Sequence, residues 1–575
     1  MYLCALNGLA GSVKRPEPLE PVQSLHADRV GVQKDTVRGK NRSRASCPAR
    51  IFNNAACLAR LRRDFEQALR AVLAIPHTTF FLQRNSMAQP STAPVSPLTT
   101  VSRSAGFLRI WRRLMGSLHG REEGSGSEQA FDIKQWDLVD RLLQEAASPI
   151  DSETRIRARV RQLLEMYLQA TAEDRLQFMN RLAAGFGVDE AVLEDAIESF
   201  QEARLPIDKL HAQARIAEAL ESPRQRILRQ FNLLPNGIES LVFMRAELLR
   251  ADDQERLAPL EHDLLRLLTL WFDAGFLELQ RLSWSSPAAL LEKLMRYEAV
   301  HEIKSWDDLR NRLDSDRRCY AFFHGRMPDE PLIFVEVALV NHLASNVQML
   351  LDESQPTTDP ELATTAIFYS ISNAQPGLRG VSMGEFLIKR VVAQLAQDFP
   401  ALQTFATLSP VPGFSKWLKE SLDEDSYVAQ LPLQVRFMME GDRQESRFDR
   451  LQTIVQDQEC ARSSGLVTKD DLLALQQWLL SECAHYLLQE KSRQDPLDSV
   501  ARFHFGNGAS LQQINWMADT SPKGMRESLG LMVNYLYQLD AIDEQYHAFA
   551  KEGRLAHSSE VRKLLTVREA LRIKN

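Results

Sequence analysis

The chain is short of several things, and each shortage excludes a class of function. Its six cysteines (Cys4, Cys47, Cys57, Cys319, Cys460, Cys483) are scattered over 575 residues with no Cys-x-x-Cys pair. That argues against a zinc site and against the disulfide framework of a secreted domain, and it fits a reducing intracellular compartment. No uninterrupted apolar run approaches the length that spans a bilayer. There is no excess of positive charge: 69 Lys and Arg stand against 76 Asp and Glu, a formal net charge of -7. Neither nucleic acid nor a membrane surface is therefore an expected partner. The Gly-x-Ser-x-Gly arrangement of a nucleophile elbow is missing. The final residues, "LRIKN", are not a peroxisomal address of the SKL type.

What is present is ordinary for a water-soluble protein, 44% hydrophobic and 25% charged residues, in a length that suggests about two to four domains. Residues 1–126 read as a flexible leader, mostly disordered. "KRPEPLEPVQ" and "VRGKNRSRASCPAR" are Pro-rich or basic and hold no sustained period. The arginines imitate an organellar transit peptide, but Glu17, Glu20 and Asp28 interrupt them. Met87 opens "MAQPSTAPVSPLTT", which reads as an alternative start with its own flexible leader. A cytoplasmic location is the expectation, with an organellar one if the basic leader is a transit peptide.

Residues 127–300 carry helical periodicity and predict a helical bundle with a scaffold or oligomerisation role. "IRARVRQLLEMYLQA" puts Val160, Leu163, Leu164 and Tyr167 on one helix face. "TAEDRLQFMNRLAAGFG" opens with Thr171 three residues before Asp174, a capping-box spacing, and stops near Gly185. "SSPAALLEKLMRYEAV" offers Ser286 as N-cap and Pro287 as first helical residue. "LLRLLTLWFDAGFLELQRL" reads as a further amphipathic helical stretch.

Residues 301–575 change to α+β texture. "RRCYAFFHGRMPDEPLIFVEVALV" predicts two strands around a turn, and "TTAIFYSIS" a third. A helical insertion is expected over about 419–494. Three stretches here carry polar groups in suggestive places. In "QPGLRGVSMGEFLIKRVV" a glycine-punctuated loop, with Gly377, Gly380 and Gly384, opens a helix. The N–H groups of a helix's first turn have no internal partners and carry partial positive charge, so such a loop can close on a phosphate, with Arg379 as an added donor. The Arg-x-x-Ser-x-Gly pattern resembles the pyrophosphate-binding loop of N-acetyltransferases, with Ser382 where a glycine is usual. In "TLSPVPGFSKWL" Pro410 and Pro412 stiffen the chain behind Ser409, and Gly413 permits a turn into a helix capped by Ser415. In "VARFHFGNGASLQQINWMAD" Ala501, Phe503 and Phe505 alternate with Val500, Arg502 and His504, which predicts a strand that points His504 away from the local core. Gly506-Asn507-Gly508 then predicts a sharp reversal. His504 reads either as a half-exposed strand histidine without a role or as a catalytic group. Asn507, Asn515 and Asp519 either orient its imidazole or satisfy turn backbone.

Taken together, "FYSIS", "GVSMGEFLIKRVV", "FATLSPVPGFSKWL" and "ARFHFGNGASLQQINWMADTS" resemble the malonyl-CoA decarboxylase family, in the right order and from the helical region to near the C-terminus. The resemblance implies an N-terminal helical domain followed by a catalytic domain of the N-acetyltransferase fold, and a homo-oligomer, a tetramer built through helical contacts. It implies conversion of malonyl-CoA to acetyl-CoA and carbon dioxide with no metal and no organic cofactor, CoA being part of the substrate. Residue by residue, Ser409 matches the catalytic serine and His504 the catalytic histidine. Arg379, Gly380, Val381, Ser382, Met383, Gly384 and Glu385 match the loop that binds the CoA pyrophosphate, and Ser370 matches a serine lining the acyl pocket. Animal members carry a glutamate at the place of Ser382. On this reading Ser409 positions the substrate, and His504, titrating near neutrality, donates a proton to the enolate. The alternatives are a CoA-dependent N-acyltransferase on the same fold and, further off, a non-enzymatic helical interaction protein.

Overall fold

The computed structural model describes residues 130–148, 151–381, 384–440 and 445–573. The 1–126 leader and Ser382 and Met383 of the glycine loop lie outside them.

The helical region begins with well-capped ends. Before α1 (Ile133–Ala147), the Asp132 carboxylate accepts the Gln135 N–H and the Gln135 side chain accepts the Asp132 N–H, which satisfies two donors a helix start leaves unpaired. α2 (Glu153–Gln169) buries Val160, Leu163, Leu164 and Tyr167, the face read from the sequence. α3 (Ala172–Gly185) is capped by the Thr171 hydroxyl, which accepts from the Asp174 N–H. α4 (Glu190–Glu202) and α5 (Pro206–Ala219) form a hairpin whose buried residues are Ala196 and Ala212. α6 (Pro223–Phe231) and α8 (Gln254–Trp271) flank α7 (Gly237–Leu248). α7, "GIESLVFMRAEL", has almost no polar face and is buried nearly end to end, as such a helix must be. Ion pairs largely out of water, Arg175–Glu247 and Arg224–Asp263, brace α3 to α7 and α6 to α8. Their importance lies in what breaking one would strand: a buried charge without a partner.

Two local expectations shift. "LLRLLTLWFDAGFLELQRL" is helical only as far as Trp271; after a turn capped by Asp273, Leu277–Leu282 is strand β1. Leu277 and Leu279 alternate there with Glu278 and Gln280, a period of two hidden inside a leucine-rich run. α9 (Ala288–Tyr297) starts one residue late, with Pro287 at the N-cap, because the Ser286 hydroxyl is taken by the Ser283 N–H.

After α10 (Trp306–Arg312) come β2 (Arg317–His324), β3 (Ile333–Val340), α11 (Val347–Leu351) and β4 (Thr365–Asn373), the three strands expected. α12 (Gly384–Asp398) leads to β5 (Thr404–Thr407) and β6 (Ser409–Pro410). The segment after β6 is helical: α13 (Phe414–Asp423), α14 (Asp425–Val428), α15 (Leu433–Met439), α16 (Arg447–Gln456), α17 (Gln458–Ser463) and α18 (Lys469–Leu488). A short ribbon, β7 (Lys491–Ser492) with β8 (Asp495–Pro496), closes it. The chain ends with α19 (Ser499–Gly506), β9 (Ser510–Asn515), α20 (Pro522–Ser528), β10 (Met532–Leu536), α21 (Ile542–Glu552) and α22 (Ser559–Ile573).

The main sheet runs β1-β2-β3-β4-β5-β10, with β6 and β9 also on β10. Every pairing is antiparallel except β4 with β5, which are parallel from Thr365↔Thr404 to Phe368↔Thr407 and then part. Beyond that point β4 continues to Asn373, while Ser409 and Pro410 turn to β10 at Val533 and Met532. The β3–β4 ladder slips between Glu336↔Ser370 and Val337↔Phe368, leaving Tyr369 without a partner in register, a β-bulge beside the fork.

The largest revision concerns "VARFHFG", which is helix α19 and not a strand. Asp498 decides it: its carboxylate accepts the N–H groups of Val500 and Ala501, closing a helix start. The buried residues are Ala501, His504 and Phe505, an i, i+3, i+4 face that six residues of alternation had concealed. Asn507 caps the C-terminus, donating to the Phe503 carbonyl at 2.7 Å. Gly508 follows at φ +74°, and a Cβ on it would stand 2.2 Å from the Ile542 carbonyl oxygen. Gly508→Ala should therefore destabilise the protein by about 1–3 kcal/mol, read as a lowered unfolding midpoint; an unchanged midpoint would show that the α19–α21 contact yields freely.

Candidate active site

The fork between β4 and β5 encloses a cavity of about 230 Å³. Its walls are mostly apolar: Phe368 and Ile371 from β4, Leu387 and Ile388 from α12, Val500 and Phe503 from α19. Ser409 and His504 lie among them, with Tyr369, Asn373 and Ser499 as further polar residues of the lining. Ser409 is set by the β6 pairing to Val533 and by the rigid Pro410, as the sequence suggested. Ser415 does not cap the next helix, which starts at Phe414 with Gly413 at its N-cap. Gly413 serves space rather than φ: a Cβ there would meet the Tyr486 hydroxyl at 2.1 Å.

A chain of hydrogen bonds threads this site. Ser409 Oγ lies 2.8 Å from Thr407 Oγ1 and 3.0 Å from His504 Nε2, and His504 Nδ1 lies 2.8 Å from the Tyr537 hydroxyl. The protons can run either way along it. With Tyr537 donating to Nδ1, Nε2–H points to Ser409 and Ser409 donates to Thr407; in the reverse order Thr407 donates to Ser409 and Ser409 to Nε2. Thr407 Oγ1 also accepts from the Tyr535 N–H, at 3.2 Å, which fixes this end. The Tyr535 ring stacks on the imidazole, 4.4 Å between centroids and 24° between planes.

His504 is buried, and burial alone pushes its pKa from 6.5 down to about 3. The imidazole of the free protein is thus neutral at pH 7, which revises the expectation of a histidine titrating near neutrality. The same burial raises the Tyr535 and Tyr537 hydroxyls well above their ordinary value.

The other sequence-named residues divide. Gly380, at φ +81°, turns the loop that precedes α12; Arg379 is exposed beside it, and Val381 is buried. Gly384 and Glu385 open α12, so the helix's unpaired N–H groups sit about one turn from the cavity residues Leu387 and Ile388. Ser370 is buried, but its hydroxyl bonds both oxygens of Glu298 at 2.8 and 2.9 Å and is not among the groups that line the cavity. Glu298 also accepts the Val300 and His301 N–H groups, so Ser370 braces the segment that carries the wall residue Val300. Of the supporting trio, none bonds the imidazole. Asn507 caps α19, Asn515 donates to Asn534 Oδ1, and Asp519 accepts from Gln348 and the Ser521 N–H. The groups that do hold His504, Tyr535 and Tyr537, went unread. Their signal was the i, i+2 spacing of two tyrosines in "VNYLYQLD", which places both on one strand face.

Between pH 6.5 and about 3 the unfolded chain binds a proton at His504 that the folded chain refuses. The stability held by this neutral imidazole is complete above pH 6.5 and is lost as pH falls through that window. Wild type should accordingly lose more stability on acidification than His504→Gln; parallel pH–stability curves would mean that folding leaves the histidine's pKa unshifted.

Residues 275–574 match the family model of the malonyl-CoA decarboxylase C-terminal domain, and residues 186–272 that of the N-terminal domain. Mitochondrial malonyl-CoA decarboxylase of Mus musculus is 38% identical over 384 residues, 64% of this chain and 77% of the relative. That of Anser anser anser is 38% identical over 406 residues, 67% and 79%. The crystal structure of malonyl-CoA decarboxylase from Rhodopseudomonas palustris superposes with a TM-score of 0.65 at 42% identity, covering 74% of this chain and 99% of the other. The one from Agrobacterium vitis gives 0.65 at 39%, with the same coverage. With the N- and C-terminal domain models matched in order over residues 186–272 and 275–574, the chain belongs to the malonyl-CoA decarboxylase family.

Proposed function

We propose that this protein is a carboxy-lyase that converts malonyl-CoA to acetyl-CoA and carbon dioxide, with Ser409 and His504 as its catalytic residues and no metal or separate cofactor. The observation that carries the assignment is the Thr407–Ser409–His504–Tyr537 chain at the wall of a mostly apolar cavity, with the N-terminus of α12 about a turn away. CoA pyrophosphate is held by the Arg379–Glu385 loop and the first turn of α12. The pantetheine arm then enters the fork and presents the malonyl group to Ser409.

The site is neutral, and the substrate brings the charge. A carboxylate entering a low-dielectric cavity beside a neutral imidazole favours protonation of that imidazole, so binding draws one proton onto His504 from solvent. Cleavage of the bond between the carboxylate and the methylene carbon releases neutral carbon dioxide and leaves the electron pair on the thioester enolate. The Ser409 hydroxyl, on the cavity wall, is the side-chain donor beside the enolate oxygen. His504 Nε2–H then protonates the carbon and returns to the neutral form. One proton is taken up and one consumed, which balances the reaction. Ser370 acts on the acyl site through Glu298 and Val300.

A homo-oligomer, tetrameric by resemblance, is the proposed assembly. Val192, Leu205, Ile207 and Leu210 on and beside the α4–α5 hairpin are each more than half exposed, which supports a partner there. Among the described residues no helix is long and apolar enough to cross a membrane.

Purified protein given malonyl-CoA in the presence of chelator should release acetyl-CoA and carbon dioxide in equal amounts. His504→Ala should lower kcat by at least about 10³-fold, and Ser409→Ala by about 10²-fold, with CoA affinity kept in both. Full activity in the His504 variant would remove its role. Arg379→Ala should chiefly raise KM, and an unchanged KM would count against its contact with pyrophosphate.

A further inference from the structure

The glycine loop is tied down at its base by the helical region, and the tie is specific. Arg245, on the buried helix α7, is 2% exposed. Its Nη1 donates to the Gly377 carbonyl at 2.6 Å, while Nη2 and Nε reach Glu261 of α8 at 2.8 and 3.3 Å. Gly377 itself presses on α7: a Cβ there would stand 1.8 Å from the Val242 carbonyl oxygen. Three residues on, Gly380 faces the same group, with Arg245 Nη2 and Leu265 each 3.9 Å from where its Cβ would be. Leu378 and Val381 complete the seat, buried in one apolar cluster with Val242 and Leu268. The loop base is therefore gripped by a carbonyl bond, a close backbone approach and two apolar side chains, all supplied by α7 and α8.

We propose that Arg245 is a positioning residue for the nucleotide end of the substrate: by holding the Gly377 carbonyl it fixes where Gly380 turns and where α12 begins. In this role, which rests on the loop binding CoA pyrophosphate as proposed above, Arg245 touches no substrate. A guanidinium suits the task because its fork bonds the loop and Glu261 at once, where an ammonium would have to choose. The helical region thereby becomes part of the binding machinery: a shift of α7 against α8 would be felt first at the phosphate loop and only later at His504.

The test compares two substrates on the full chain. Malonyl-CoA spans loop and cavity, whereas malonyl-pantetheine carries the same thioester without the nucleotide. Arg245→Met should raise KM for malonyl-CoA, and the calorimetric Kd of CoA, by about tenfold. It should leave kcat within about twofold and leave KM for malonyl-pantetheine unchanged. Arg245→Lys should restore part of the loss. Equal losses on both substrates, or an unchanged Kd for CoA, would overturn the assignment and make Arg245 a packing residue. Should Arg245→Met fail to fold, Glu261→Gln, at a side chain 26% exposed, loosens the same guanidinium; it should give the same split at about threefold, and no split would overturn the role. Absence of turnover in wild type would instead strike the decarboxylase reading, while the CoA-binding arm would still report on the loop.

Discussion

Everything at the site follows from the point where two parallel strands stop pairing. β4 and β5 share four register positions and then separate after Phe368↔Thr407. A sheet cannot leave a strand unpaired in its interior without an alternative partner, and β10 provides it by accepting the continuation of β5 at Ser409 and Pro410. The released half of β4 keeps its own ladder to β3. The wedge between them is too wide for backbone bonds and is lined instead by side chains from β4, α12 and α19. Ser409 stands at the wedge because it is the second residue past the last paired one, and His504 reaches it from a helix that packs along the opening.

The wedge is an electrostatically empty place. The polar groups that meet His504 are hydroxyls, and the one cause that depresses its pKa is loss of water. Among the described residues no Lys, Arg, Asp or Glu lines the cavity, and buried guanidiniums such as Arg224, Arg312, Arg568 and Arg245 sit on carboxylates or a loop carbonyl elsewhere. A site without its own counter-charge favours a reaction in which an anion arrives, loses its charge as a neutral gas and leaves a neutral thioester behind.

How far the sequence could be read depended on how local each determinant was. Caps and long faces were legible: Thr171 with Asp174, and the Val160 to Tyr167 stripe, need only their own helix. So were β2, β3 and β4, whose apolar runs are bounded by turn residues. The pairing of Ser409 with His504 came from resemblance, and the fold places them in contact although 95 residues separate them. What failed was short and ambiguous. "VARFHFG" satisfies both periods, and Asp498, outside the quoted stretch, chose the helix. Asn507, Asn515 and Asp519 drew notice because they are polar in apolar company, yet each answers a local backbone or amide. Tyr535 and Tyr537 carried no local mark, since nothing in their neighbourhood along the chain reveals that a histidine 33 residues before Tyr537 will lie across them.

β10 has an implication for how the chain reaches this state. It is the last strand in sequence, yet it lies inside the sheet, with β5 and β6 on one side and β9 on the other. Until residues 532–536 emerge and insert, both neighbours present bare edges, and the residue that steadies Nδ1 has not yet been made. A growing polypeptide on the ribosome thus carries two open edges of the kind that invite pairing with other chains. It closes them in one late step with high loop-closure cost. Catalytic competence and protection against aggregation arrive together, with β10 and the tyrosine that follows it.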